Sequence, residues 1–159
     1  MSSQPEPDRF RRACALWATG ISVVTLSDAA GVLHGMTVNS FTSVSLDPPL
    51  VLVCIDHRAT ILPHLTVTQP IAINVLAEGQ TEVSSRFARK VEDRFENLDW
   101  HAGHNGSPIL AGSLAVFQCS VLQSIAAGDH QIVIAQVQSV DFSEGRPLLY
   151  FASGYQTIS

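Results

Sequence analysis

Short apolar runs separated by turn residues dominate the chain and predict β-strands. Ile21–Leu26 and Leu33–Asn39 flank Asp28–Gly31, an arrangement that is typical of a β-hairpin. Leu50–Ile55 is a continuous apolar run that follows two prolines, which favour an extended backbone. Ile71–Leu76 is a run of the same kind. The first half of the chain is therefore expected to contribute a hairpin and two buried strands.

The second half repeats this pattern with longer segments. Leu114–Ile125 and Gln131–Val140 enclose Ala126–Asp129, and together they predict a second hairpin. Leu148–Ala152 is the last predicted strand. Between the two halves, His101–Pro108 is rich in His, Gly and Asn, and we interpret it as a polar loop.

Helical periodicity is confined to three segments. An amphipathic helix is predicted from Phe10 until Gly20 ends it, because apolar residues recur there at mostly three- and four-residue steps. Its apolar positions are Phe10, Ala13, Cys14, Trp17 and Ala18. Helical periodicity returns only around Ala59–Leu65 and Thr81–Lys90. About seven short strands with a few short helices predict a mainly β barrel rather than alternating βαβ units.

Composition agrees with this fold class and adds an expectation about assembly. The chain has 16 Val, 10 Ile and 9 Thr but a single Lys, which suits half-buried pleated surfaces. Its 159 residues fit one domain, expected at residues 10–159 after a flexible tail at residues 1–9. Only 14% of the residues are charged, against about 25% on average. So little charge predicts that extra surface is buried in an oligomer.

Charge and cysteine content exclude several classes of protein. A net charge of −5 argues against a nucleic-acid partner, because no broad basic patch can neutralise phosphates. No run reaches about 18 apolar residues, so no membrane span is expected, and the first residues lack the apolar segment of a signal peptide. Cys14, Cys54 and Cys119 are widely spaced within apolar patterns, which indicates reduced core thiols in a cytoplasmic protein.

Catalytic motifs of the common kinds are absent from the sequence. It contains no GxGxxG, Walker, GxSxG or HExxH motif. His101 and His104 have a metal-ligand spacing, but they lie in a loop with no cysteine nearby to complete a site. His57 and His64 are separated by the helix breaker Pro63. The sequence therefore predicts no metal site.

One stretch, His34–Ser45, is unusually rich in small polar side chains, and we call it the polar segment. Its six hydroxyl or amide side chains are those of Thr37, Asn39, Ser40, Thr42, Ser43 and Ser45. Such neutral donors and acceptors can line a pocket for a polar heteroaromatic ring or a phosphate. An outward-facing edge strand would have the same composition, so both interpretations stay open at this point.

The motifs taken together resemble the short-chain flavin reductases, the NAD(P)H:flavin oxidoreductase components of two-component monooxygenases. The resemblance covers about residues 10–157 and is most specific at His34–Val53. The other matching stretches are Phe10–Thr25, Cys54–Ala59, Ile71–Leu76, Arg86–Ala88, Asp93–Phe95, Gly128–His130, Pro147–Tyr150 and Gly154–Tyr155. It implies an FMN-binding split β-barrel of Greek-key type, which family members use as a homodimer.

The resemblance also implies a flavin site, for FMN or FAD, built from two facing stretches. Six of these residues lie in the polar segment: Met36, Thr37, Asn39, Ser40, Thr42 and Ser43. Six more lie at the end of the Leu50–Ile55 run and in the loop after it: Cys54, Ile55, Asp56, Arg58, Ala59 and Thr60. Phe87 completes the set. The flavin phosphate needs positive charge or free N–H groups. Arg89 and Lys90 are assigned to it from a basic run that also holds Arg86 and Arg94. A solvated helix face is the alternative reading of that run.

His130, Tyr150 and Gly154 correspond to the nicotinamide side of the family's site, for NADH or NADPH, with His130 as the catalytic residue. A turn histidine bonded to Asp129 is the structural alternative. The implied reaction transfers a hydride to flavin, and the reduced flavin supplies a partner monooxygenase. A non-catalytic flavin carrier on the same barrel is the alternative function. An oxidase of the pyridoxamine-phosphate type would require more basic residues than this chain has.

Overall fold

The computed structural model describes residues 4–158. Its helices are α1 (Pro7–Ala15), α2 (Thr81–Ala88) and one short 3-10 helix (Leu62–His64). Its strands are β1 (Thr19–Gly20), β2 (Ser22–Ser27), β3 (Leu33–Val38), β4 (Thr42–Leu46), β5 (Pro49–Asp56), β6 (Pro70–Val75), β7 (Trp100–Ala102), β8 (Pro108–Leu110), β9 (Ala115–Ala127), β10 (His130–Phe142), β11 (Leu149–Phe151) and β12 (Gly154–Gln156). The prediction of a mainly β fold is confirmed.

Seven of these strands form one antiparallel sheet in the order β3-β2-β6-β9-β10-β5-β4. The two predicted hairpins, β2–β3 and β9–β10, are both present. The two 13-residue strands β9 and β10 lie at the centre. Strand β9 pairs with β6 and β10 pairs with β5, so this hairpin joins the two halves of the sheet.

The sheet has to curl, because its two edge strands are close neighbours in sequence. Only Asn39–Phe41 connects β3 to β4. The chain from Val38 to Thr42 spans at most about 14 Å when extended. In a flat seven-stranded sheet, by contrast, the edge strands would lie about 29 Å apart. The edges are therefore folded towards each other, as in a split barrel.

Alternating residues of the strands fill the interior of the curled sheet. Val51, Val53 and Ile55 of β5 are buried, and Val133 and Ala135 of β10 face the same cluster. Each fully buried aliphatic side chain of this size contributes about 1.5–3 kcal/mol relative to an exposed one. This burial period of two follows from the strand pleat.

A second core lies where α2 covers the outer face of β3. Phe87 of α2 is buried there, and it meets Phe95 edge to face with ring centroids 5.1 Å apart. Gly35 of β3 permits this approach, because a Cβ at that position would overlap the Phe87 ring. Helix α2 therefore packs tightly on the strand that begins the polar segment.

Helix α1 differs from its predicted position. It begins at Pro7 rather than Phe10, because the Glu6 carboxylate accepts hydrogen bonds from the amides of Asp8 and Arg9. It ends at Ala15, and none of its residues is buried. The predicted tail at residues 1–9 thus overlaps the helix, while residues 1–3 lie outside the described part of the chain.

Three further differences concern short elements. The sequence did not predict strand β4 (Thr42–Leu46), which begins within the polar segment. The predicted helical segment Ala59–Leu65 forms only the 3-10 turn at Leu62–His64. The predicted loop His101–Pro108 is in fact a hairpin whose ends, β7 and β8, pair with each other. Within residues 4–158, no helix is long and apolar enough to span a bilayer.

The three cysteines are free but do not share one environment. Cys119 is buried in β9, and burial raises the pKa of its thiol to about 12. Cys54 is partly buried on β5, whereas Cys14 is exposed on α1. The prediction of three core thiols is therefore wrong for Cys14, because the helix that carries it does not pack on the barrel.

A buried polar network attaches the β7–β8 hairpin to the main sheet. The Asn74 amide on β6 donates to the Val23 carbonyl (3.1 Å) and to Thr25 Oγ1 (3.0 Å), and its Oδ1 accepts from the Leu110 amide (2.9 Å). Thr25 Oγ1 in turn donates to the Pro108 carbonyl at 2.5 Å. Both side chains are fully buried, so every bond replaces one that water would otherwise make.

Replacing Asn74 with Ala should lower the free energy of unfolding by about 1–3 kcal/mol, because it leaves the buried Leu110 amide without an acceptor. Urea denaturation measures the change, and Gln136→Ala on the exposed side of β10 is the control, expected to change stability by about 0.5 kcal/mol or less. Equal stability of the two variants would contradict the role given to this network.

Candidate functional site

The polar segment runs along β3, turns at Asn39–Phe41 and continues as β4. Its hydroxyls are not all available to a ligand. Thr37 Oγ1 donates to the Ser84 carbonyl of α2 at 2.7 Å. Ser40 Oγ accepts from the Cys54 amide (2.9 Å) and donates to the Cys54 carbonyl (3.1 Å). The hydroxyls of Thr37 and Ser40 thus hold elements of the fold together, and their contact with flavin stays a prediction.

The remaining members of the polar segment have different surroundings. Met36 is partly buried and packs against the core inside the curled sheet, which we call the main core. Asn39 and Thr42 are exposed and line a cavity, together with Ser40. Ser43 is exposed on β4. The segment therefore offers a ligand the side chains around the β3–β4 turn rather than a continuous strip of hydroxyls.

The cavity at this turn, which we call the aromatic cavity, has a volume of about 550 Å³. Its walls are the β3–β4 turn, the segment between α1 and β2, and the ends of β6 and β9. The lining residues are Trp17, Ala18, Thr19, Gly20, Ser22, Asn39, Ser40, Phe41, Thr42, Val75, Ala115 and Phe117. Phe41 and Phe117 contact each other with centroids 5.1 Å apart. Aromatic walls with a few neutral polar groups suit a flat heteroaromatic ring.

Thr19 is a candidate ligand-binding residue that the sequence did not suggest. Thr19 lines the aromatic cavity, and its buried hydroxyl has no hydrogen-bond partner among residues 4–158. A buried hydroxyl without a partner costs about 1–3 kcal/mol, so it favours a ligand that can bond to it. No sequence signal could have identified it, because Thr19 was placed at the end of the predicted first helix.

A second cavity, which we call the cationic cavity, lies at the opposite end of β3 and has a volume of about 290 Å³. Its lining residues are Leu33, His34, Gly35, Thr60, Lys90, Val91, Glu92 and Arg94. Lys90 and Thr60, both predicted in the site, meet here although they are far apart in sequence. The exposed ammonium of Lys90 and the Thr60 hydroxyl can both bind phosphate oxygens.

The basic run is divided by the structure. Arg94 donates to the Gly35 carbonyl at 2.5 Å and twice to the Arg89 carbonyl, and partial burial lowers the pKa of its guanidinium. It therefore fastens the chain after α2 to β3. The Arg89 side chain lines a different surface cavity that also contains Glu82, Asp93 and Glu96. Arg89 and Lys90 thus line different cavities, which does not support the prediction that both bind one phosphate.

The loop after β5 carries a tight ion pair. Arg58 donates through Nε and Nη2 to the two oxygens of Asp56, at 3.0 and 2.7 Å. This bond and that from the Arg58 amide hold the pKa of Asp56 well below its usual range. The charge of Arg58 is thus balanced locally, and Lys90 is better placed to hold a phosphate.

Two predicted site residues have side chains that no ligand can reach. Ile55 lies in the main core and Phe87 in the second core, and both are essentially fully buried. Ala59, on the loop after β5, is partly buried against the main core. The prediction for the Ile55 and Phe87 side chains is corrected, since strand and helix periodicity turn them inwards; only their backbone could meet a ligand.

His130 begins β10 directly opposite Asp56 of β5. Its Nδ1 lies 2.6 Å from Asp129 Oδ1, and this bond lowers the pKa of Asp129. An ionised carboxylate only accepts, so Nδ1 carries the proton and Nε2 is the free ring nitrogen. Cys54, the partner of Ser40, pairs with Ile132, about 7 Å along β10 from His130. The β5–β10 register therefore brings the polar segment and His130 together.

Tyr150 and Gly154 lie in a separate three-stranded sheet, β1-β11-β12. Tyr150 pairs with Thr19 and so adjoins the wall of the aromatic cavity. Its ring meets Tyr155 edge to face at 5.7 Å, and the Tyr155 hydroxyl lies 2.9 Å from Ser84 Oγ on α2. Within one chain, Tyr150 and Gly154 are thus in a different sheet from His130.

Known proteins share this fold and much of this sequence. A flavin reductase of Pseudomonas putida is 40% identical over 151 residues, which cover 94% of this chain and 89% of the relative. The stachydrine N-demethylase reductase subunit of Rhizobium meliloti is 44% identical and is covered over 65% of its length. Another Rhizobium meliloti protein is 48% identical but is covered over only 49%, so the chain spans about half to two thirds of these two curated relatives.

Among solved structures, the NADH:FAD oxidoreductase of Streptomyces globisporus, in complex with NAD and FAD fragments, superposes with a TM-score of 0.91. It is 32% identical, and the match covers 99% of this chain and 98% of that one. The prediction of a split-barrel fold is confirmed by this agreement. Residues 14–159 match the sequence pattern of the flavin reductase like domain, and the chain belongs to that family.

Proposed function

We propose that this protein is an NAD(P)H:flavin oxidoreductase that reduces FMN or FAD and supplies the product to a partner flavin-dependent monooxygenase. The observation that carries the proposal is the cationic cavity, where the Lys90 ammonium and the Thr60 hydroxyl meet beside the start of the polar segment. The match to the Pseudomonas putida flavin reductase over most of both chains supports the same activity.

The residues present fit a flavin nucleotide at both of its ends. Lys90 and Thr60 would hold the phosphate, since charge-assisted hydrogen bonds to phosphate are about twice as strong as neutral ones. The β3–β4 turn and the unpartnered Thr19 hydroxyl would face the polar edge of the ring. Neutral groups suit this edge, because they can both donate to and accept from it.

The chemistry, a hydride transfer from nicotinamide to flavin, is supplied by the two nucleotides themselves. The chain contributes positioning and the exclusion of water. Asp129 fixes the His130 ring through Nδ1, which leaves Nε2 free to meet the nicotinamide nucleotide. No side chain needs to act as acid, base or nucleophile, which agrees with the absence of catalytic motifs in the sequence.

We also propose a homodimer in the cytoplasm. Helix α1 has no buried residue, and Trp17, which follows it, is 77% exposed while it lines the aromatic cavity. Phe142 at the end of β10 is 82% exposed. A second copy placed over α1 would cover these apolar side chains and close the aromatic cavity. Three free cysteines suit a reducing compartment.

Lys90→Ala should raise the dissociation constant for FMN about tenfold, which corresponds to ~1.4 kcal/mol, because the cationic cavity loses its exposed charge. Arg89→Ala is the matched control: it removes the same charge one residue away but from a different cavity, and should change affinity less than about twofold. Fluorescence titration of FMN measures both. Equal losses of FMN affinity in the two variants would show that the net charge of the protein, not the cationic cavity, determines binding.

The wild-type protein should oxidise NADH only when FMN or FAD is added, as followed by nicotinamide absorbance under low oxygen. His130→Ala should keep its flavin affinity but lose about tenfold in kcat/KM for NADH, equal to ~1.4 kcal/mol of transition-state stabilisation. His101→Ala, an exposed histidine on β7, is the control. Flavin binding without NADH oxidation would identify a carrier, and unchanged kinetics of His130→Ala would remove that residue from the site.

Light scattering should give twice the mass of one 17.1 kDa chain at micromolar concentration. Trp17→Arg should shift the particle towards the monomer, because a stable interface buries at least about 1,200 Å² and tolerates no unpaired charge at its apolar centre. Arg11→Ala, on the neighbouring helix α1, is a control that leaves the apolar surface intact. A wild-type particle of monomer mass would contradict the proposed assembly.

A further inference from the structure

Three side chains from separate elements converge beside the start of β3. Asp28 lies in the turn after β2, His34 lies on β3, and His64 ends the 3-10 helix. His34 Nε2 is 2.9 Å from Asp28 Oδ2, and His64 Nδ1 is 3.9 Å from the same oxygen. The two imidazoles stack with centroids 3.8 Å apart and planes 26° from parallel, so both rings present a nitrogen to one carboxylate oxygen.

The carboxylate in this cluster is held in place by the backbone. Asp28 Oδ1 accepts from the amides of Ala30 and Val32, each at 2.9 Å. Oδ2 is thereby directed at the two histidines. The bond from His34 and the backbone amides lower the pKa of Asp28, so the group is an anion at neutral pH. The backbone of the loop thus fixes the Asp28 carboxylate through Oδ1, while Oδ2 faces both histidines.

The cluster is also shielded from bulk water. The side chains of Asp28, His34 and His64 are 19%, 20% and 31% exposed. Each of the three side chains offers one potential ligand atom, and these three atoms all lie within 4.8 Å of one another. Within residues 4–158, no other group of His, Cys, Asp or Glu side chains meets this criterion. The spacing candidates His57 and His101 are not part of it, because sequence spacing in loops says little about distance.

We propose that Asp28, His34 and His64 form a binding site for a divalent first-row transition metal, of which Zn²⁺ is the reference ion. Two imidazole nitrogens and one carboxylate oxygen are a donor set that binds Zn²⁺ and leaves a fourth position open. Ligand atoms at about 2.0–2.2 Å from a tetrahedral ion lie about 3.3 Å apart. The three ligand atoms already lie within 4.8 Å of one another, so binding requires the stacked imidazole rings to turn until both nitrogens point at the same ion. The ion would replace the proton shared by His34 and Asp28.

Such an ion would cross-link the β2–β3 turn to the segment that follows β5. His34 also lines the cationic cavity with Lys90, so the site borders the proposed phosphate position without using the residues assigned to it. The metal site therefore does not depend on the reductase activity, and its test does not use that activity. Since the ion binds the folded chain only, it should raise the temperature of unfolding.

The experiment is a calorimetric titration of ZnCl₂ into the full chain after treatment with a chelator. One Zn²⁺ should bind per chain with a dissociation constant in the micromolar range or below. His64→Ala and Asp28→Asn should each weaken binding at least tenfold, and Asp28→Asn retains an oxygen that can accept from the loop amides. His101→Ala, which removes a histidine from the competing H-x2-H pair, should leave the dissociation constant within twofold.

Thermal unfolding provides the second readout and guards against misfolded variants. Without metal, each variant should unfold cooperatively, and Zn²⁺ should raise the unfolding temperature of the wild type and of His101→Ala but not of His64→Ala. The proposal is overturned if the wild type binds no Zn²⁺ in this range, or if both cluster variants bind it as tightly as the wild type. Loss of binding in His101→Ala alone would also overturn it.

Discussion

The short connection between β3 and β4 is the constraint on which the rest of the structure depends. Since Asn39–Phe41 joins the two edge strands of a seven-stranded sheet, the sheet cannot stay flat. Curling encloses the alternating apolar residues of β5 and β10 in one core. It also places the β3–β4 turn against the end of the barrel, where Ser40 bonds to both backbone groups of Cys54. One connection thus creates the core and positions the site.

The same geometry explains why some polar residues serve the fold and others remain available. Hydroxyls that reach a backbone group of another element replace water with protein partners, as Thr37 does on α2 and Ser40 does on β5. The buried Thr19 hydroxyl has no such partner in the described part of the chain, and Thr19 lines the aromatic cavity. The basic side chains differ in the same way. The Arg94 guanidinium is bound to backbone carbonyls, whereas the Lys90 ammonium is exposed in the cationic cavity. These available groups are the ones that we propose to hold a nucleotide.

Stability and binding are therefore separated within a small molecule. The β9–β10 hairpin and the network around Asn74 stabilise the barrel, while the ends of the strands carry the groups assigned to binding. The proposed hydride transfer between two bound nucleotides requires orientation more than acid–base chemistry. Rigid strands with reactive groups at their ends satisfy this requirement. Helix α1 has no buried residue, so neither a stabilising role nor a binding role is assigned to it within one chain.

Strand positions such as Leu50–Ile55 and both hairpins were predictable, because continuous apolar runs and turn residues are local signals. The family, and the predicted site with it, followed from the motifs taken together, of which His34–Val53 is the most specific. The sequence could not show that Ile55 and Phe87 point inwards, or that Arg89 and Lys90 face different cavities, because such directions depend on packing. Nor could it pair His64 with His34, since that contact exists only once the sheet has curled and brought separate elements together.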